Sequence, residues 1–215
     1  MSTEESLTWL TCIVAGFLLG GIMFSQLIPK ILLQVDICEI GGDHNPGAGN
    51  VFTSCGPFWG LLCLSFDISK GFFPIFIARR LVDTDQLLFA AVLAAPVLGH
   101  AIAPFNRFRG GKCISTAFGE LLALYPITHI VLLLAGTYIL LSTILKIQLT
   151  RLRSIAAFSI FGILSVIILL HEHQPAVAWG CFSIAFIAVM KHSKYFAYIP
   201  DHDADMDLSD SSMRL

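Results

Sequence analysis

Two stretches of this chain gather residues that could handle an anion. The first, Gly41 to Phe52, reads GGDHNPGAGNVF. Its four glycines, its proline, Asn45 and Asn50 favour turns and close backbone approach. Glycine-rich backbone can aim several N–H groups at one oxyanion. Flexible connectors are usually Gly/Ser runs with varied polar residues, whereas here Asn and Gly are interleaved in a pattern. The second stretch, Gly99 to Glu120, reads GHAIAPFNRFRGGKCISTAFGE, with Arg107, Arg109 and Lys112 around the Gly110–Gly111 pair. An apolar helix should start near Ile114, so fixed charge, backbone donors and a helix N-terminus would converge on an anion. This is not a Walker A loop: the upstream glycine is missing, and Cys113 stands where Ser or Thr would follow the lysine. Basic residues on one membrane face would account for the charges alone, but not for the paired glycines, Thr116 or Gly119.

Other ionisable residues lie within apolar runs. Asp67 and Lys70 are three apart, which puts them on one helix face where they can neutralise each other. Ionisable groups in membrane segments are costly and mark functional cavities by default; a purely structural ion pair is the other reading. Glu120 should sit within a turn or two of the basic loop, where it could orient that loop. His100 closes one apolar run and opens the basic loop, so it is expected to hydrogen-bond the loop or a substrate, with general-base duty open to it. His171, Glu172 and His173 read as a solvated loop, because three adjacent residues rarely supply a full metal-ligand set. No metal site is expected, and the six cysteines, lacking zinc spacing, read as apolar fillers.

The elements that must position these residues follow from composition. Of the 215 residues, 56% are hydrophobic and 13% charged, against about 45–50% and 25% in globular proteins. A soluble fold needs more charge than that, and a net charge of −2 provides no field for nucleic acid. A span needs about 20 apolar residues. Candidates run from Leu7 to Ile28, Cys55 to Ala78, Leu87 to Pro104, Ile127 to Leu145, Ile155 to Leu170 and Pro175 to Met190. Glu4 and Glu5 replace the basic leader of a signal peptide, so the first run reads as a span. The short stretch Ile114–Tyr125 is ambiguous by length, but counting it as a crossing places ten of thirteen basic residues on one side. The expectation is an all-α integral membrane protein of seven helices, N-terminus out and C-terminus in. Residues 1–200 form one polytopic domain, and 201–215 form an acidic tail expected to be disordered.

At this point the residues resemble a family. The blocks GGDHNPGAGNV, DISKGFFP (Asp67 to Pro74) and LGHAIAPFNRFRGGKCISTAFG (Leu98 to Gly119) look like the acyl-phosphate:glycerol-3-phosphate acyltransferases of bacteria, the PlsY family. Order and spacing agree from about Gly20 to His192. His100, Pro104, Phe108, Gly110, Gly111, Lys112, Thr116 and Gly119 fall on motif positions of the second loop, and Asn45, Gly47, Ala48, Asn50 and Val51 on those of the first. The resemblance implies seven segments with cytoplasmic motifs in the inner (plasma) membrane. It implies catalytic roles for His100, Lys112, Asn45 and His192. Substrate or phosphate contacts are implied for Asp43, Gly47, Asn50, Asp67, Lys70, Arg109, Gly110, Gly111, Thr116 and Glu120.

The chain departs from the pattern at several positions. Asp43 stands where the family has serine, His44 where it has glycine, and Thr53 where it has an arginine assigned to phosphate. Of the third motif His192 survives, with Tyr195 and Tyr198 in the asparagine and arginine positions. The donor half of the site is thus kept and the acceptor half altered. A negative charge at Asp43 would repel a dianionic acceptor unless the second-loop cations or a metal compensate.

The function this implies is acyl transfer from acyl phosphate, a co-substrate, to glycerol-3-phosphate or a related polar acceptor, giving lysophosphatidic acid and needing no cofactor. The bilayer is the other partner, and a complex with other lipid-synthesis enzymes is open to it. Two further readings are a diverged non-catalytic lipid-phosphate-binding protein and a small anion transporter, although no inverted repeat supports the latter. His202 and Asp207 have the spacing of another acyltransferase class. They lie in a tail where aspartate recurs, and too few residues follow to build that class's fold.

Overall fold

The computed structural model describes residues 2–193 apart from Pro126, and among these all regular structure is helical. The expected tail from Asp201, the His202 and Asp207 decoy, and Tyr195 and Tyr198 lie outside the described residues. Helix α1 (Thr3–Gly20) starts on a capping box, with Ser2 and Glu5 each satisfying the other's backbone N–H. After Gly21 the chain bends by 47° into α2 (Phe24–Leu32). Two short helices, α3 (Ile37–Ile40) and α4 (Ala48–Cys55), carry the first glycine-rich stretch. The long α5 (Pro57–Leu81) and α6 (Phe89–Ile102) follow. A single 3₁₀ turn at Pro104–Asn106 opens the second loop, and α7 (Ile114–Ala123) closes it. Next come α8 (Val131–Ile139), extended by a π-helical segment Leu140–Ile144, then α9 (Thr150–His171) and α10 (Pro175–His192).

Among the described residues, four helices are long and apolar enough to cross a membrane, or five when the bent pair α1–α2 is taken as one span. The outer faces carry exposed Leu7, Phe58, Ile163 and Ile167, an apolar surface that suits lipid rather than water. The first apolar run is therefore broken where an unbroken span was expected. Gly20 packs so tightly on α6 that an added Cβ would lie 2.0 Å from the Pro96 carbonyl oxygen. One residue past Gly21, the Ile22 carbonyl leaves the helical ladder and accepts from Lys70 Nζ.

Helix α7 has ten residues, about 15 Å of rise, which is half of a ~30 Å hydrocarbon core. It reaches the interior through small residues. A Cβ on Gly119 would lie 2.0 Å from the Ile68 carbonyl oxygen, and one on Gly71 would lie 2.2 Å from that of Thr116. Such small-residue contacts bring helix backbones together where lipid supplies no hydrophobic drive. The main apolar core runs through α1 and α5 to α10, with Phe89, Leu93, Leu121, Phe158, Phe161 and Ile184 fully buried, while Ile37, Ala48, Val51 and Cys63 form a second cluster under α3 and α4.

Candidate active site

The two stretches meet at one end of the bundle. Asp43, in the first, forms an ion pair with Lys112, in the second. The other oxygen of the Asp43 carboxylate accepts from Asn50 Nδ2 at 2.6 Å and from the Asn45 N–H at 3.1 Å. Asn50 Nδ2 also donates to the Asn45 carbonyl at 2.8 Å, which closes the loop around the carboxylate. Burial raises the Asp43 carboxyl, but hydrogen bonds from Lys112, Asn50 and Asn45, with the lysine charge, outweigh it and hold the group below its ordinary value. The Asp43 and Lys112 side chains remain 26% and 30% exposed, so a ligand can reach them.

Two helix N-termini open beside this pair. Gly47 is the N-cap of α4 and Cys113 that of α7, and neither helix has a side-chain cap. Their first N–H groups are left for a ligand or water, and both dipoles favour negative charge there. Cys113 holds a left-handed φ of 67°, and its thiol donates to the Gly111 and Val97 carbonyls.

His192 ends α10 and is buried. It stands within electrostatic reach of Lys112, Arg151 and Asp43, with its ring beside the Lys112 backbone. Its carbonyl accepts from Arg151 Nε at 2.8 Å, and its neighbour Lys191 donates to the Ala101 carbonyl at 2.9 Å. From the sequence, Arg151 and Lys191 count only among the ten basic residues placed on one side of the membrane. Their adjacency to the ends of α9 and α10 was the available signal, but pairing them with His192 needs the fold.

The remaining sequence-derived residues lie beneath this surface. His100 Nδ1 is paired with Thr116 Oγ1 at 3.2 Å. Its other face meets the loop, where a Cβ on Gly111 would stand 2.4 Å from Nε2. Gly110 packs on the His100 and Ala101 carbonyls, and the Gly111 N–H donates to the His100 carbonyl at 3.2 Å. The glycine pair is thus explained by a loop seated directly on the end of α6. Arg109 lies within electrostatic reach of Cys38, near Asp36, at the edge of the first stretch. Asp67 and Lys70 are fully buried and paired at 3.0 Å. Ser25, which sequence reasoning passed over within the first apolar run, donates to Asp67. With Lys70 bonded to Ile22, the pair clamps the α1–α2 break. Glu120 is fully buried, facing the Val97 backbone, Cys113 and Cys181. It makes no ion pair with the second-loop cations among the described residues. No three His, Cys, Asp or Glu side chains among the described residues are grouped to hold a metal ion.

The sequence model of the glycerol-3-phosphate acyltransferase family matches residues 10–201. The glycerol-3-phosphate acyltransferase of Thermotoga petrophila is 38% identical over 135 residues, 63% of this chain and 68% of its own. That of Geotalea daltonii is 33% identical over 180 residues, 84% and 88% of the two chains. The crystal structure of PlsY, an integral membrane glycerol 3-phosphate acyltransferase, superposes in its glycerol 3-phosphate form with a TM-score of 0.72. The identity is 29%, over 86% of this chain and 88% of that one. The lysophosphatidic acid form gives a TM-score of 0.70 at 26% identity, over 87% and 89% of the two chains.

Proposed function

Because the chain belongs to the glycerol-3-phosphate acyltransferase family, we propose that it moves an acyl group from acyl phosphate to glycerol-3-phosphate or a related polar acceptor. It is a multi-pass membrane acyltransferase of phospholipid synthesis. The observation that carries the proposed chemistry is the junction of Lys112 with Asp43, Asn45 and Asn50, set between two uncapped helix N-termini and next to His192.

In this reading the donor's phosphate rests on the Gly110–Gly111–Lys112 loop and the α7 N-terminus, with its acyl tail in the bilayer. The acceptor is held over Gly41–Asn50, with Gly47 and Asn45 at its edge. The acceptor hydroxyl oxygen attacks the acyl carbon, its proton passes to a ring nitrogen of His192, and the acyl–oxygen bond breaks as phosphate leaves with the electron pair. Acyl phosphate is already activated, so positioning and anion stabilisation suffice. His100 acts as a positioning residue, since it lies buried beneath the loop with Nδ1 paired to Thr116 and Nε2 packed against Gly111.

Seven crossings from an outside N-terminus, with the site loops cytoplasmic in the bacterial inner membrane, belong to the same proposal. Its support lies along α9. Arg151, at the start of α9, bonds to His192 near Lys112, whereas Glu172, just past the helix end, lines a cavity of about 430 Å³ with Thr128 and His129. Between Lys112 and Thr128 the chain therefore runs from one end of α9 to the other, and α7 lies on that path.

The test is purified protein in phospholipid vesicles given acyl phosphate and a panel of polar acceptors. Acceptor-dependent release of phosphate, lost in Lys112→Ala, is the expected result. Absence of turnover with every acceptor, together with no effect of Lys112→Ala, refutes the enzyme reading.

A further inference from the structure

Asp43 occupies the place where an anion would be expected. Its carboxylate takes a lysine ammonium, a side-chain amide N–H and a backbone N–H, beside two uncapped helix N-termini. These donor types are the ones a phosphate monoester needs. The Asn50 amide is bonded to both the carboxylate and the Asn45 carbonyl, so the first loop is wrapped around its own acid. Lys112 is consequently neutralised before any substrate arrives. Lys70, which is buried, is neutralised by Asp67, and Lys191 is committed to the Ala101 carbonyl.

We propose that Asp43 is an internal counter-anion: it competes with phosphate for Lys112 and Asn50, and so lets the site discriminate acyl phosphate from the free phosphate that the reaction releases. This deepens the acyl-phosphate reading above and rests on it. Free phosphate has only its charge and oxygens with which to displace the carboxylate. Acyl phosphate also places an apolar chain in the bilayer, and each buried methylene adds to its hold. The chain, rather than the headgroup, then decides which phosphate opens the Asp43–Lys112 contact. Asp43 would act on specificity and product release, and it would remain partly solvated when displaced, being 26% exposed already.

The test is calorimetric titration of the purified full-length protein with inorganic phosphate, with inhibition of acyl transfer by phosphate measured alongside. Asp43→Ser and Asp43→Asn are compared with wild type. Asparagine keeps the size and hydrogen-bonding shape of the aspartate, so it stands if the serine variant folds poorly. Both variants should bind phosphate about tenfold or more tightly than wild type, as removal of one charged competitor implies. Their acyl transfer should be inhibited at correspondingly lower phosphate. Binding equal to or weaker than wild type in both variants overturns the proposal. Lys112→Ala separates the two levels. If phosphate binding depends on Lys112 but not on Asp43, the site reading stands and the internal anion falls. If Lys112→Ala binds phosphate as wild type does, the phosphate reading falls and the internal anion with it.

Discussion

Replacing Gly111 by alanine tests whether the second loop is aligned by the histidine beneath it. The added Cβ would stand 2.4 Å from His100 Nε2, 3.0 Å from its Cε1 and 3.2 Å from Met23 Cε. Non-bonded carbon atoms settle at about 3.5–4.0 Å, so the loop or the ring must yield by roughly 1 Å. The ring is closed in, being 4% exposed and paired with Thr116 at 3.2 Å. Forcing a methyl into such packing costs about 1–3 kcal/mol, and breaking the buried Thr116 contact about 1 kcal/mol more. The folded state should lose about 2–4 kcal/mol in all. If the loop moves instead, Lys112 is carried with it, and a 1 Å misplacement of a positioning group costs about a hundredfold in rate. The assay is kcat/KM for acyl transfer in vesicles together with thermal unfolding in detergent. His100→Ala removes the obstructing ring, so Gly111→Ala on that background should add little further loss. Gly111→Ala within twofold of wild-type activity at unchanged melting temperature, or a fully additive double variant, refutes the alignment.

The Asp67–Lys70 pair should behave as a structural clamp. Lys70→Met alone strands a buried carboxylate and should destabilise by about 3–5 kcal/mol, whereas Lys70→Met with Asp67→Leu should recover most of that loss. Thermal unfolding checks the stability, and acyl transfer by the double variant that stays far below wild type despite recovered stability would assign the pair to chemistry instead. At Cys113, with its φ of 67°, Cys113→Val should cost about 1–3 kcal/mol because a β-branched residue is strained there. Cys113→Gly should stay within about 1 kcal/mol of wild type, and equal melting of the valine variant would count against strain. The Asp43 carboxyl is held below its ordinary value in the folded protein, so its stabilising contribution is present above the unfolded value of about 3.9 and is lost as pH falls through the folded one. Unfolding measured from pH 7 downward should therefore steepen only below about pH 4, and Asp43→Asn should flatten that acid limb.

Local sequence carried the helices because apolar runs leave no other way to satisfy backbone groups in lipid. The expected segments Cys55 to Ala78, Leu87 to Pro104, Ile155 to Leu170 and Pro175 to Met190 each start and end within five residues of the ends of α5, α6, α9 and α10. The first span was legible in extent but not in shape. Its break depends on Lys70, forty-eight residues away, bonding to the Ile22 carbonyl. Nothing within Leu7 to Ile28 announces that partner.

The candidate site divides along the same line. Residue types and spacing alone singled out the glycine pair, Lys112 and the Asn–Gly stretch as candidates for binding an anion, because such backbone and charge have few other uses in an apolar chain. Sequence alone also showed that Asp43 would need a compensating charge. Only the tertiary structure decided that Lys112 is the compensating partner, sixty-nine residues away. It also placed His100 under the loop, Glu120 inside the core, and Arg151 behind His192. Periodicity and composition report what each segment requires of its surroundings. Which distant side chain meets that requirement is settled by how the helices cross, here through the close contacts of Gly71 with Thr116 and of Gly119 with Ile68 that seat α7 against α5.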